Sequence, residues 1–231
     1  IQSGISREVR KALTYDTYTD IDIKNAHPTI FCQLFTKLGI SCPQLERYVN
    51  DREKCLKETG LPRDEAKEAF LKPMYGGKPN ENSTQFMVDF NIEFMKNAEK
   101  VLLMEEYEEY RNLGAKKTKE KGQNNPIGSA ISYLAQDIER KCVMTMIDVF
   151  RKNKYKIGTI IHDGFLVESL EVDDAVLRKA EAKVKQSHGY DLKLEKKNLC
   201  DFDASKLWDD DCDEKIQSGE ESETQLPCSK I

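Results

Sequence analysis

The chain has 231 residues, 39% hydrophobic and 33% charged, with a formal net charge of −5. That length admits one compact domain or a domain with a lobe, and no apolar run approaches the roughly 20 residues of a membrane-spanning helix. Seven scattered cysteines with no Cys-x-x-Cys pair argue against a zinc site or a disulfide framework and place the chain in an intracellular, reducing compartment.

The charge is unevenly spread. Residues 201–231 hold ten acidic residues against three lysines, a balance of −7, so the first 200 residues sum to +2 within the total of −5. The tail reads as an acidic, disordered segment, and the near-neutral body is compatible with a polynucleotide partner. No signal peptide is visible, and the first residue is Ile1 rather than Met. The expectation is that the chain starts inside a longer reading frame or after processing.

IQSGISREVRKAL predicts a loop and a short basic helix. YTDIDIKNAHP, residues 18–28, predicts a strand with Ile21 and Ile23 on one face and Asp20 and Asp22 on the other, because side chains alternate along a strand. Asn25 is then placed to cap a helix that runs on through TIFCQLF. QLERYVNDREKCLKETG reads as one helix ending at Gly60. A further helix starts after Pro62, reaches Tyr75 and stops at Gly76-Gly77.

Residues 85–112 read as one or two helices, and GAKKTKEKGQNNP as a basic, mobile connection able to touch a phosphate backbone or simply to face solvent. Residues 127–152 form a long helix with an apolar stripe at Ile131, Leu134, Ala135, Ile138, Cys142, Met146 and Val149. YKIGTIIHDGFLVES is a hairpin with His162-Asp163-Gly164 at its tip. Residues 172–187 read as a helix and 192–199 as a last strand. The order predicts an α+β fold, a small antiparallel sheet backed by helices with a helical insertion. The segments are 1–60, 61–126 (the insertion), 127–200 and the tail 201–231.

Three stretches carry the chemistry. Asp22 and Asp163 each end a predicted strand, and on neighbouring strands they would converge. Two such carboxylates suit a pair of Mg²⁺ ions, hard cations that keep open positions for phosphate oxygens. Arg63 and Lys67 lie four apart on one helix face, able to neutralise a metal-bound triphosphate, and Tyr75 further along could lie beside a base. A solvated Arg/Lys stripe is the plain alternative. His27 would crowd a 2′-hydroxyl and favour deoxynucleotides, or else bond to backbone at the start of its helix.

These stretches resemble motifs A, B and C of family A DNA polymerases, in the family's order. Asp22 and His27 have the spacing of the first motif's metal aspartate and sugar-contacting glutamate. Arg63, Lys67, Tyr75 and Gly76 match the second motif position for position, and His162-Asp163-Gly164 stands where the third reads His-Asp-Glu. IQSGISR resembles the family's Leu-Gln-x-x-Pro-x-Arg segment, and NNPIGSA the segment before the helix leading to the third motif. The wording is nearest to divergent polymerases of large DNA viruses and mobile elements. The resemblance covers roughly residues 1–200. It departs at His27 and at Gly164, where the family has glutamates; a third carboxylate would have to come from Asp20 or Glu168.

The resemblance implies a DNA-templated DNA polymerase, with segments 1–60 and 127–200 as palm and 61–126 as fingers. It implies that Asp22, Asp163 and the carbonyl of Ile23 bind two Mg²⁺. Arg63 and Lys67 would hold the triphosphate, and Lys67 would protonate the leaving pyrophosphate. Tyr75 would sit by the nascent base pair and His27 would gate the sugar, while Arg7, Gln136 and His162 would contact nucleic acid. The implied partners are a primer–template, nucleoside triphosphates with deoxynucleotides preferred, and replication domains upstream in the same polypeptide, at a site of DNA replication. A single-subunit RNA polymerase or primase-like enzyme is the nearest rival. A catalytically degenerate palm that binds nucleic acid is the other.

Overall fold

The computed structural model describes residues 7–78, 83–122, 124–197 and 199. The side chain of Arg7 and the acidic tail lie outside the described residues. Residues 18–197 form one compact unit, and helix α1 (Arg7–Thr14) belongs to a separate one. The fold is α+β: a four-stranded antiparallel sheet with helices packed around it.

Strand β1 (Thr19–Ile23) is interior to the sheet, whose order is β2-β3-β1-β4, with β2 Ile157–Ile161, β3 Gly164–Val167 and β4 Leu194–Lys197. Ile21 and Ile23 are wholly buried, as the alternation requires. β1 pairs with β3 so that Asp22 faces Gly164, and with β4 so that Asp22 faces Glu195. β2 and β3 form the expected hairpin, and His162 in its turn takes a positive φ of 51°. That backbone conformation lets a two-residue connection follow the twist of its strands.

Helix α2 (Ala26–Lys37) follows β1 directly. Asn25 does start it, but through a left-handed backbone (φ 54°, ψ 48°) and with no side-chain capping bond. The helix expected over residues 44–60 is two, α3 (Pro43–Asn50) and α4 (Arg52–Glu58). They break at Asp51 (φ −123°, ψ 39°), whose N–H bonds back to Arg47 while its carbonyl accepts from Cys55. Adjacent Asn and Asp are poor helix formers, because their side chains compete for nearby backbone groups. Helix α5 (Arg63–Met74) leads into Tyr75, and Gly76 follows with a φ of 77°.

Helix α6 (Gln85–Leu102) carries Phe90 and Phe94 into an aromatic core. Phe94 meets Phe31 edge-on at 5.2 Å, and Tyr48 lies 4.6 Å from Phe70. The lysine-rich segment expected to be a loop is largely helical, because α7 (Glu108–Glu120) runs through it. Contact with the long helix α8 (Pro126–Lys152) accounts for this. Gly114 sits so close that a Cβ there would lie 2.5 Å from the Pro126 carbonyl, and buried Thr118 donates to the Gly114 carbonyl at 2.8 Å. α8 buries the predicted stripe, wholly at Ile131, Leu134, Ala135, Cys142 and Met146 and partly at Ile138 and Val149, and packs against β2 and β3. α9 (Asp174–His188) packs on α8 and on β4. Its buried Glu181 accepts the Leu194 N–H at 2.8 Å and pairs with Arg178, which anchors the edge strand.

Candidate active site

The end of β1 and the turn after β2 meet at one end of the sheet. The Ile23 N–H donates to the Asp163 carbonyl at 3.2 Å, which brings Asp163 beside Asp22. Asp22 is 7% exposed. Burial pushes its carboxyl above the ordinary carboxylate range, and the like charge of Asp163 pushes it further. Lys197 on β4 opposes both by forming an ion pair with Asp22. Two carboxylates thus stand side by side, one of them buried, with Lys197 as the cation that faces them.

Gly164 explains its own place in the motif. A Cβ there would lie 2.5 Å from the Ile21 carbonyl and 2.8 Å from Asp22 Oδ1. A glutamate at this position, as in the family's third motif, would occupy the space of the first aspartate. Of the two alternative third carboxylates, Asp20 shares the strand face of Asp22 and acts on Lys197, whereas Glu168 lies past the far end of β3 and pairs with Lys156 at 3.4 Å. No group of three His, Cys, Asp or Glu side chains set to hold a metal occurs among the described residues. The donor set is therefore two adjacent carboxylates. That fits Mg²⁺, which is held by one or two carboxylates together with water and substrate phosphates.

A second group of residues closes around this one. The Tyr75 hydroxyl, at the end of α5, donates to His27 Nδ1 on α2, with the rings edge-on at 5.8 Å. His27 Nε2 lies 2.6 Å from Glu139 Oε2 on α8, close but not aligned as a hydrogen bond. The carboxylate side of the ring takes the proton, which leaves Nδ1 to accept from Tyr75. Burial raises the Tyr75 phenol well above its ordinary range, helped by the charges of Glu139 and then Asp163, so the hydroxyl stays a donor.

Glu139 was not among the residues singled out from sequence. Its signal is an acid between Ala135 and Cys142, inside the stripe that α8 buries. Asn125 was also missed. Its side chain donates to the Tyr75 carbonyl at 2.7 Å and accepts the Gly128 N–H at 3.0 Å. Gly128 itself approaches so closely that a Cβ would touch the Tyr75 carbonyl. These contacts tie the end of α5 to the start of α8.

The remaining expected residues are less closely joined. Arg63 is exposed and makes a two-point contact with Glu53, at 2.8 and 3.1 Å, which raises its already high basicity. Glu195, opposite Asp22, also acts on it. Lys67 is half-buried and has no hydrogen-bond or ion-pair partner among the described residues. Gln136 is exposed and bonds to Ser132 at 2.8 Å, and His162 is exposed in its turn.

Two expectations follow. Gly164→Ala forces the β1–β3 pairing apart at a backbone carbonyl, and should lower stability by about 1–3 kcal/mol in urea denaturation. Asp22→Asn tests the balance of charges. Because the folded state raises this carboxyl, ionising it opposes folding above its own titration. The neutral side chain should therefore unfold at a temperature equal to or above wild type at pH 7.5 in EDTA. That advantage should fade as the pH falls through the raised value towards about 4, where Asp22 is protonated folded or unfolded. A lower midpoint at pH 7.5 would mean that the Lys197 pair outweighs burial.

No protein-family model matches the chain. It is 31% identical over 213 residues to a Sputnik virophage protein named "Putative helicase V13", a match that takes in 85% of this chain and 27% of that protein. The chain thus spans about a quarter of the length of the curated relative it matches.

Proposed function

We propose that the chain is the nucleotidyl-transfer part of a viral replication protein, a template-directed polymerase of the type that family A DNA polymerases represent. The observation that carries this reading is the meeting of Asp22 and Asp163, from separate motifs, at one end of the sheet, within electrostatic reach of Tyr75, which is hydrogen-bonded to His27. Similarity to a virophage protein with a helicase name supports a role in viral nucleic-acid replication.

In this reading Asp22 and Asp163 would hold two Mg²⁺ ions, which would supply Lewis acidity for a primer 3′-hydroxyl and for the leaving oxygen of pyrophosphate. The protein's own groups do the positioning. Arg63 exchanges Glu53 for phosphate oxygens, a substitution its exposed two-point geometry permits. Lys67, unpaired among the described residues, is the second cation for the triphosphate and the proton donor to pyrophosphate. Tyr75 and His27, joined by their hydrogen bond, form a wall that crowds a 2′-hydroxyl and favours deoxynucleotides. Gln136 and His162, both exposed, face the primer–template.

The relative's name raises a second reading, that the match reflects the motor itself. The sequence contains no Gly-x₄-Gly-Lys-Ser/Thr phosphate loop, the element that cradles the nucleotide in such motors. The transfer module, working beside a motor in a longer polypeptide, is the better fit.

Extension of a labelled primer on a DNA template with Mg²⁺ tests this. Asp163→Ala should lose at least about 10²-fold in rate while keeping its fold; undiminished extension would remove the metal assignment. Extension by ribonucleotides in the wild type would favour the RNA-synthesising rival, and nucleotide binding without extension by either would favour the degenerate palm. Tyr75→Phe removes only the hydroxyl that holds His27. It should raise ribonucleotide incorporation relative to deoxynucleotide, with deoxynucleotide extension largely retained.

A further inference from the structure

We infer that Lys197 is a built-in counter-cation of the Asp22–Asp163 pair, occupying the carboxylates when no divalent ion is bound and leaving them when one binds. The inference rests on the metal-binding reading above and adds a residue that neither the motifs nor the comparisons assign.

The strand register puts Lys197 opposite Asp20 and Glu195 opposite Asp22. Lys197 forms an ion pair with Asp22. It reaches that residue along the diagonal, a distance that a long side chain spans on a sheet. Besides Asp22, the charges of Asp20 and Asp163 also act on it. The position is anchored, because β4 is fixed by the bond from Leu194 N–H to buried Glu181.

The two partners differ in freedom. The Asp22 side chain is 11% exposed and held by its strand, whereas that of Lys197 is 45% exposed on a flexible stem. The carboxylate stays and the lysine can swing into water. A divalent ion brings twice the charge and takes the same oxygens as ligands, so ammonium and metal exclude each other there. With the lysine in place, the chain folds with the buried Asp22 paired. When metal arrives, one ion pair is exchanged for metal–oxygen contacts, and the threshold for loading rises by the strength of the pair that is lost.

The test is thermal unfolding of the full chain in EDTA and across a MgCl₂ titration, for wild type, Lys197→Met, Lys197→Arg and Asp163→Asn. Lys197→Met should melt lower than wild type in EDTA. It should reach half its Mg²⁺-induced shift at about tenfold lower Mg²⁺, the scale of one charge-assisted hydrogen bond. Lys197→Arg should keep the wild-type melting point in EDTA, and Asp163→Asn should flatten the Mg²⁺ response. An unchanged Mg²⁺ midpoint in Lys197→Met, with the response still lost in Asp163→Asn, would overturn the role of Lys197 and leave the metal site standing. No Mg²⁺ response in either wild type or Lys197→Met would overturn both. Should Lys197→Met not fold in EDTA, Lys197→Gln, uncharged but still a hydrogen-bond donor, is read by the same criteria.

Discussion

Antiparallel pairing of β1 with β3 sets Asp22 against Gly164, and the rest of the site depends on that register. The absence of a side chain at residue 164 lets the two strands close over the first aspartate, and the turn that precedes Gly164 then delivers the second. Shifting a strand by one residue would send Asp22 to the opposite face and bring Ile21 or Ile23 out of the core. The apolar burial of those isoleucines therefore fixes where the acidic pair stands. Like charges held this close to a buried strand are unfavourable by themselves. The fold tolerates them because hydrophobic contacts on the other face of β1 pin the strand, and because Lys197 lies across the pair.

The helices work on the same end of the sheet from the other side. α2 leaves β1 through the left-handed Asn25, so His27 lies in the first turn of the helix, four residues past the strand end. α5 ends in Tyr75 and Gly76, and the Asn125 side chain fastens that end to the start of α8. α8 then returns Glu139 to His27 before it runs under the hairpin. Three helices distant in sequence thus hold one Tyr–His–Glu arrangement. Its polar groups are largely removed from water, where an unmet donor would oppose folding and a met one restricts the geometry.

The cations are arranged differently. Arg63 is exposed at the start of α5 and Lys67 half-buried one turn on, with Arg63 engaged with Glu53 in a contact that water screens. Exposed pairs of this kind exchange readily, and an incoming phosphate competes well for a guanidinium already set in a two-point geometry. Asp22 is anchored on a buried strand, whereas Arg63 is held only by an exposed ion pair.

The sequence alone determined the order of most elements and the α+β class. Alternation around Ile21 and Ile23, the stripe on α8 and the turn at His162-Asp163-Gly164 were legible because each depends on residues near one another in the chain, as did the α+β order. Asp22, Asp163, His27 and Tyr75 were visible as candidates from motif spacing. The break at Asp51 and the helical course of the lysine-rich segment were not. The first turns on a local competition between nearly equal conformations, and the second on α8 lying against Gly114 and Thr118. Only the tertiary structure could join Glu139 to His27, Asn125 to Tyr75 and Lys197 to Asp22, because each pair is a contact between elements far apart in sequence, set by packing and register rather than by any local pattern.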